Sequence, residues 1–349
     1  MRIYLTLLAL LFTLTLNAQG PNLYPRPSQM AKVFQRIGTT DLELIYHAPL
    51  TNGRKIFGDI VPFNDSMNGK PHPWRAGANE NTVFKTSHDV TINGRSLKAG
   101  TYGLHIFVSK QQWELAFSSN STAWGSFFYK AEEDVLRVPV NPVNAPNQDW
   151  LSYRFTQPRA NAVTLELHWE ETSIQVEIAT QVEANILADV MALDNPNWAQ
   201  LLVAAQHTLA LNPNDTDEAM RWVEASISKE AHLNNRLFKS ELLVKKGDSK
   251  AARQLKKQAI AAAPATELFS YAMSLNNKGQ DKEALEILAL NLKKHPEHWY
   301  SQLGYANYYR THDDKRAIAY HEKAVELAPE NAKGFATYQL GYAKSKLGL

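Results

Sequence analysis

The residues best suited to chemistry in this chain lie in one stretch between glycines and prolines, residues 53–82. A tryptophan face stacks on the apolar face of a sugar, and Asn and Glu side chains hydrogen-bond paired hydroxyl groups. An arginine binds a carboxylate or phosphate through two parallel hydrogen bonds. The stretch therefore predicts a binding site for a small polar or carbohydrate ligand. Its candidate ligand-binding residues are Arg54, Trp74, Arg75, Asn79 and Glu80.

The same side chains allow two other interpretations. In the first, Arg75, Asn79 and Glu80 tie the long loop to itself by satisfying its buried backbone groups, and Trp74 fills the core. The segment would then serve folding or assembly alone. In the second, Glu80 is the acid or base of a hydrolase that acts on envelope polymers, which requires a second titratable group beside it. The sequence nominates no partner for Glu80.

His105 is a further candidate for the ligand site. The apolar side chains alternate along residues 102–108, which places His105 and Phe107 together on the opposite face. That face can line a binding surface, and the alternative is a partly solvated histidine under a loop. His47, His72 and His105 would hold a metal if they converged, but their spacing does not predict convergence. No metal or cofactor is predicted.

The elements around these residues read as strands, because apolar and polar side chains mostly alternate over residues 39–180. The Asn-Gly pair at residues 93–94 predicts a two-residue hairpin, since both turn positions require positive φ. A last hairpin is predicted across residues 170–172. The aromatic residues within 124–129 are expected to anchor a loop to the core rather than to form a stacking platform. The pattern predicts an antiparallel β-sandwich over residues 22–181.

From residue 182 the apolar spacing becomes helical and an internal repeat appears. Small residues let two antiparallel helices approach closely, and a proline ends the second helix. The recurring positions are Ala252, Ala259 and Pro264, then Ala284, Asn291 and Pro296, then Ala317, Ala324 and Pro329. The pattern resembles the tetratricopeptide repeat, whose period is about 34 residues.

The predicted fold class is therefore α+β multidomain, with an antiparallel β-sandwich followed by an α-helical tetratricopeptide-like solenoid over residues 182–349. Such arrays usually offer a concave face to a protein partner. The alternative is a helical buttress packed on the β-domain.

The β half resembles one exported bacterial family, the domain of unknown function 2911, over about residues 25–180. The resemblance implies a secreted Gram-negative domain, often followed by helical repeats, with no established activity and no functional residues to transfer. The link over residues 64–73 is longer than the family usually has. The motifs that carry the resemblance are Gly53-Arg54-Lys55-Ile56-Phe57-Gly58, Trp74-Arg75-x-Gly77-Ala78-Asn79-Glu80 and Gly100-Thr101-Tyr102-Gly103-Leu104.

Residues 1–18 have the features of a secretory signal peptide. Arg2 supplies the positive start, residues 3–16 are almost purely apolar, and Ala18 precedes the expected cleavage site. The apolar run is shorter than the ~20 residues needed to span a bilayer. We therefore expect a periplasmic or secreted protein with no integral membrane span after cleavage.

Composition excludes several classes of function. The chain has no cysteine, which excludes a lipoprotein anchor, disulfides and a thiol nucleophile. Its 37 basic and 35 acidic residues are interspersed, so no basic stripe indicates nucleic acid. Serine-hydrolase, zincin and nucleotide motifs are absent from the sequence. The sequence thus favours a non-enzymatic module that binds a small polar or carbohydrate ligand and docks a protein partner.

Overall fold

The computed structural model describes residues 25–312 and 314–349. The signal peptide predicted over residues 1–18 lies outside the described residues. The chain divides into two compact units, with the division between Asn185 and Ile186. The last strand ends just before this point, and the first helix begins at Val182.

The first unit is built from strands, which pair into three antiparallel sheets within the described residues. Six strands form one sheet in the order β1-β2-β5-β8-β9-β10, four form a second in the order β11-β12-β6-β7, and β3 pairs with β4 alone. The strands are β1 (Gln29–Ile37), β2 (Thr40–Ala48), β3 (Ser66–Met67), β4 (Lys70–Pro71), β5 (Thr82–Thr86), β6 (Val90–Ile92), β7 (Arg95–Leu97), β8 (Gly100–Phe107), β9 (Trp113–Ser118), β10 (Asp134–Val140), β11 (Val143–Thr156) and β12 (Ala162–Thr180).

The two larger sheets share one hydrophobic core. Alternation along β2 buries Leu42 and Leu44 completely, and alternation on the second sheet buries Leu167 and Ile178 against the same cluster. Trp113 is the largest fully buried side chain. Each such side chain contributes about 1.5–3 kcal/mol by leaving water. This burial, in the absence of disulfides, holds the unit together.

The two predicted hairpins have different outcomes. The Asn-Gly turn joins β6 to β7, with φ of 47° at Asn93 and 78° at Gly94. The hairpin predicted across residues 170–172 is wrong, because β12 runs through this point as one strand. Glu170 has a φ of 54°, and its ladder with β11 shifts register on both sides of Gln148. A single residue at positive φ here makes an irregularity in the strand without reversing the chain.

The second unit is helical. Its helices, with the one that crosses the division, are Val182–Met191, Trp198–Leu211, Thr216–Lys229, Leu233–Lys245, Ser249–Ala262, Ala265–Asn277, Asp281–Lys294, Trp299–Thr311, Arg316–Leu327 and Glu330–Lys346. Four pairs of consecutive helices pack closely together: Trp198–Leu211 with Thr216–Lys229, Leu233–Lys245 with Ser249–Ala262, Ala265–Asn277 with Asp281–Lys294, and Trp299–Thr311 with Arg316–Leu327. This architecture confirms the predicted fold class of an antiparallel β domain followed by a tetratricopeptide-like array.

The recurring small residues lie where the helices come closest. Ala284 and Ala317 are completely buried. A Cβ on Gly304 would lie 2.5 Å from Leu288 Cδ2, so a larger residue there would push the helices apart. Asn291, which interrupts the small-residue pattern, is also completely buried. Its amide is accommodated by hydrogen bonds, including one from Nδ2 to the Ala265 carbonyl at 2.9 Å.

Candidate functional site

The long loop between β2 and β5 continues the first sheet beyond the end of β5. The backbones of Trp74 and Ile106 exchange two hydrogen bonds of 2.8 Å, and the Asn64 amide donates to the Val108 carbonyl at 2.8 Å. Two separate parts of the loop thus lie beside β8. Between them the chain makes the small β3–β4 hairpin, which falls in the link that the sequence shows to be long.

Trp74 is an anchor for this loop. Its indole stacks on Trp169 with centroids 5.8 Å apart and meets the edge of Phe57 at 5.9 Å. Its Nε1 donates to the Gly77 carbonyl at 3.1 Å. The side chain is half-buried, so it both fills the core and presents an edge at the surface.

Arg54 is held by its own turn. Its Nε donates to the Thr51 carbonyl at 2.8 Å and its Nη2 donates to the Leu50 carbonyl at 2.9 Å. These bonds satisfy backbone acceptors of an irregular segment, as the structural interpretation of the loop expects.

Arg26, His47 and Glu80 form a second structural feature, the Glu80 cluster. Arg26 Nη1 donates to both carboxylate oxygens of Glu80, at 2.5 and 2.7 Å, and His47 Nε2 lies 3.3 Å from Oε2. Beside it, Asn79 Nδ2 donates to the Ser28 carbonyl at 3.2 Å. The Glu80 cluster therefore fixes the end of the loop to the segment before β1.

The electrostatics of the Glu80 cluster favour a permanent carboxylate. Partial burial raises the pKa of Glu80, but hydrogen bonds from Arg26 and its own backbone N–H, with the charges of His47 and Arg26, leave that pKa below its usual value. Burial lowers the pKa of His47, against an opposing effect of the Glu80 charge. A carboxyl group that stays ionised cannot serve as a general acid at neutral pH.

His105 is not on an open face. The residue is 2% exposed, because residues 119–133, which include short 3-10 turns at Gly125–Phe128 and Ala131–Glu133, supply its hydrogen-bond partner and a ring contact. Its Nδ1 lies 2.9 Å from Ser126 Oγ, and its ring meets the edge of Tyr129 at 5.2 Å. Burial, with the charges of His72 and Arg75, lowers its pKa to about 4. Of the two interpretations of His105, the structure is closer to the histidine under a loop than to a binding face beside Phe107, and the imidazole is neutral and more deeply buried than expected.

The aromatic residues before β10 also differ from expectation. Only Tyr129 is tied in by hydrogen bonds, donating to Asp134 Oδ2 at 2.5 Å and accepting from Arg137 Nη2 at 2.7 Å. The other aromatic residues face solvent rather than the core. Their exposed fractions are 47% for Trp124, 59% for Phe127 and 65% for Phe128.

Three cavities share His72, the residue that follows β4, and residues of the β3–β4 hairpin line the two larger ones. We name them together the His72 cleft. Their volumes are about 130, 430 and 490 Å³. The hairpin forms one wall, and Phe107 and Arg137 of the first sheet line both larger cavities. The cleft therefore combines an aromatic ring with charged and hydroxyl groups, which suits a small polar ligand.

The smallest cavity, of about 130 Å³, is named the Arg75 cavity. Its polar lining comes from Asp65, His72, Arg75 and Ser126, and Trp74 forms part of its wall. Arg75 Nη1 donates to the Asn79 carbonyl at 2.7 Å. Within the described residues, no carboxylate lies at ion-pair distance from Arg75. Burial lowers the pKa of this guanidinium.

Arg137 behaves differently on the opposite wall. Its Nε donates to Asp134 Oδ2 at 2.7 Å, its Nη1 lies 3.3 Å from Glu114 Oε2, and its guanidinium lies 4.5 Å from the centre of the Phe107 ring. The charge of Arg137 is thus neutralised by the protein itself.

The structure brings together only part of the predicted site. Trp74 and Arg75 line the Arg75 cavity. His105 does not line it but contacts Ser126, which does. The remaining candidates, Arg54, Asn79 and Glu80, make structural contacts outside the cleft. Sequence reasoning missed Asp65, Ser126 and Arg137; the long link at residues 64–73 is the one signal that pointed to the first of them.

Among residues 25–312 and 314–349, no group of three or more His, Cys, Asp or Glu side chains is placed to hold a metal ion. No helix in the described part of the chain is both long and apolar enough to cross a membrane.

No curated protein matches the chain. Among solved structures it is similar to a chain of the crystal structure of the APC/C hetero-tetramer Cut9-Hcn1, at 16% identity and a TM-score of 0.27. The match covers 47% of this chain and 33% of that one, so it spans about a third of the length of that chain. Residues 28–178 match the family model described as Protein of unknown function (DUF2911). The resemblance predicted from the sequence is thus confirmed as a match of the β domain to this family model.

Proposed function

We propose that the protein is an exported binding module whose β domain holds a small polar or carbohydrate ligand in the His72 cleft. The observation that carries this proposal is the meeting of three cavities at His72, with charged groups and the Phe107 ring on their walls. Ligand sites combine an apolar surface with a few polar groups that fix orientation. The cleft has both.

The test measures binding of a panel of saccharides and small polar metabolites to the full mature chain by ligand-observed NMR. We expect His72→Ala to weaken binding by about 5- to 10-fold, the effect of one hydrogen bond. His295→Ala, at another half-buried histidine in the helical unit, is the matched control. Equal affinities for the wild type and His72→Ala would contradict the proposal.

The hydrolase interpretation has one supporting contact, the 3.3 Å approach of His47 to Glu80. The pairing with Arg26 and the lowered pKa of Glu80 oppose it. Glu80 lines none of the three cavities of the His72 cleft. We therefore favour binding over catalysis, with the Glu80 cluster as a structural brace for the cleft.

Export to the periplasm or beyond is part of the proposal. Its support is the charged start, the apolar run and the small residue before Gln19. Expression with the native N-terminus in a Gram-negative host, followed by N-terminal sequencing of the periplasmic fraction, tests it. The expected mature chain begins at Gln19. An uncleaved chain in the cytoplasm would contradict it.

The helical unit is proposed to dock a protein partner. Stacked helical repeats usually present a surface for this purpose, and the last helix exposes Phe335, Tyr338 and Tyr342. A photo-crosslinking amino acid at position 338 is expected to give one discrete adduct in the envelope fraction. The control places it at Met191, which is equally exposed. The same adducts at both positions would contradict specific docking.

A further inference from the structure

We propose that the Arg75 cavity binds the carboxylate of a small ligand that also carries an adjacent amino or hydroxyl group. This inference rests on the proposed function and names the ligand class for one end of the His72 cleft. Four polar groups in the cavity carry it: the guanidinium of Arg75, the hydroxyl of Ser126, the carboxylate of Asp65 and the imidazole of His72.

The guanidinium of Arg75 is held in place but not neutralised. A Cβ on Gly125 would lie 2.5 Å from Arg75 Cζ, so the charged end of the side chain packs against the Gly125 backbone beside Ser126. The ring of Phe127 lies 5.1 Å from the same carbon. Only Nη1 makes a hydrogen bond to a described residue, the carbonyl of Asn79. A guanidinium has five N–H donors, so donors remain for a ligand.

A half-buried cation without a counter-ion is costly, because burial disfavours the charged form. The lowered pKa of Arg75 has this cause. A ligand carboxylate would offset the cost with charge-assisted hydrogen bonds, and the planar guanidinium fits a carboxylate through two parallel bonds. Arg137 already has such partners in the protein, so of these two arginines of the cleft Arg75 is the one available to an anion.

Ser126 supplies a second donor. The residue is 2% exposed, and its hydroxyl lies 2.9 Å from His105 Nδ1. When the neutral imidazole carries its proton on Nδ1, it donates to Ser126 Oγ, and the hydroxyl hydrogen is free to point into the cavity. In that tautomer, the buried His105 leaves the Ser126 hydroxyl hydrogen available to a ligand acceptor.

Asp65 restricts the ligand further. Its Oδ1 accepts from the backbone N–H of Ser66 at 2.8 Å, and it lines the same cavity as Arg75 without forming an ion pair with it. A ligand that offers only a carboxylate would be repelled by this second carboxylate. A neighbouring ammonium or hydroxyl group on the ligand would instead donate to Asp65. The pair of opposite, unpaired charges thus selects a carboxylate with an adjacent donor.

The size of the cavity agrees with a small head group. Its volume of about 130 Å³ compares with ~150 Å³ for a protein cavity that binds benzene, a molecule of six heavy atoms. L-Alanine and L-lactate each have six heavy atoms. A larger ligand would extend past His72 into the two larger cavities.

The test uses three molecules of nearly equal shape: propionate, which lacks the donor, L-lactate, which has a hydroxyl, and L-alanine, which has an ammonium. Ligand-observed NMR titrates each against the full mature chain. We expect alanine and lactate to bind at least about 5-fold more tightly than propionate, because only they satisfy Asp65.

Arg75→Met is expected to weaken lactate and alanine by at least about 10-fold, the loss of a charge-assisted pair. Arg75→Lys keeps the positive charge but loses the planar guanidinium, so its affinities for lactate and alanine should lie between those of the wild type and Arg75→Met. Asp65→Asn should weaken alanine and strengthen propionate. The matched control is Arg54→Met, an arginine of the same loop that is bonded to backbone carbonyls; it should leave all three affinities unchanged.

Two failures are distinguishable. If saccharides without a carboxylate bind in a His72-dependent manner while lactate and alanine do not bind, the ligand class is wrong and the cleft function stands. If neither kind of ligand binds, or if His72→Ala changes nothing, the proposed function fails as well. Equal binding of lactate to the wild type and to a folded Arg75→Met variant also overturns the inference.

Discussion

Glu80 and Arg75 lie in the same loop but differ in whether the protein supplies a group of opposite charge to pair with them. In the Glu80 cluster, the Arg26 guanidinium neutralises the carboxylate at 2.5 and 2.7 Å, and the His47 imidazole lies 3.3 Å from the same carboxylate. In the Arg75 cavity, only five residues earlier in the chain, a cation and a carboxylate line one space without pairing. Both contain residue types that a sequence marks as functional. Saturation by neighbouring protein groups indicates a structural role, whereas unpaired charges at a cavity indicate a ligand.

The largest effect is expected behind the Arg75 cavity, at His105. Burial lowers its pKa to about 4, below the value of about 6.5 for an unfolded histidine. As the pH falls, the unfolded chain takes up the proton first. The contribution of neutral His105 to the free energy of unfolding is therefore complete above about pH 6.5. It is lost progressively down to about pH 4, and the total loss is roughly 3 kcal/mol.

Urea unfolding at about pH 7 and about pH 4 measures this loss. His105→Gln removes the titration, so its stability should depend less on pH by about that amount. His321 in the helical unit also has a pKa lowered to about 4, mainly by burial, but it contributes equally to both proteins. Identical pH dependence of the wild type and His105→Gln would mean that His105 is not buried beneath residues 119–133. The Arg75 cavity would then lack the buried histidine that contacts Ser126.

The second prediction tests whether ligand binding requires the observed position of the Arg75 guanidinium. Gly125 has a φ of 62°, and its missing Cβ gives room to Arg75. Gly125→Ala should cost about 1–2 kcal/mol from backbone strain and should also displace Arg75. Gly53→Ala is the control, since φ there is 73° and no described atom lies within 4 Å of the added Cβ.

Thermal unfolding should show similar losses for both glycine variants, whereas lactate binding should be lost in Gly125→Ala alone. If Gly125→Ala binds lactate as the wild type does, the packing of Arg75 against this glycine has no part in the site.

The third prediction concerns the Glu80 cluster. Glu80→Gln removes the ion pair in which Arg26 Nη1 contacts both carboxylate oxygens. It should lower the free energy of unfolding at pH 7 by about 1 kcal/mol, since the pair is partly solvated. Because the pKa of Glu80 is lowered in the folded state, its contribution exists above the unfolded value of about 4.3 and disappears as the pH falls through the folded value. The difference between wild type and variant should therefore vanish in acid.

Urea unfolding across pH gives that difference, and Glu177→Gln, in the more exposed pair with Arg159, should cost less. Ligand affinity should be unchanged in Glu80→Gln. If Glu80→Gln lost ligand binding without losing stability, Glu80 would be a ligand-binding residue and its assignment to a structural role would be wrong.

The sequence predicts the fold better than the site for a physical reason. Alternation and the Asn-Gly turn at residues 93–94 are local signals, and both correspond to observed strands and a hairpin. The continuous path of β12 through Glu170 depends on β11, a partner that lies elsewhere in the chain. Local patterns do not encode such pairings.

The same limit applies to the site. Arg75 is visible as a candidate, but the absence of an ion-pair partner for it among the described residues depends on where Asp65 and the other carboxylates lie in space. His105 reads as an outward-facing residue because alternation describes one strand, not the loop that covers it. Glu80 reads as reactive until Arg26, 54 residues earlier, is placed against it.

The smallest stability effect is expected where the largest binding effect lies. Arg75→Met loses one hydrogen bond to the Asn79 carbonyl and a contact with Phe127, but it also removes a half-buried charge that has no counter-ion. These terms oppose each other, so the free energy of unfolding should change by no more than about 0.5 kcal/mol. Arg26→Met, at the neutralised pair, should cost about 1 kcal/mol.

Saturating lactate should raise the Tm of the wild type but not of Arg75→Met, because a ligand stabilises only the state that binds it. A loss above about 2 kcal/mol in Arg75→Met without ligand would show that this arginine, like Glu80, is held for the fold.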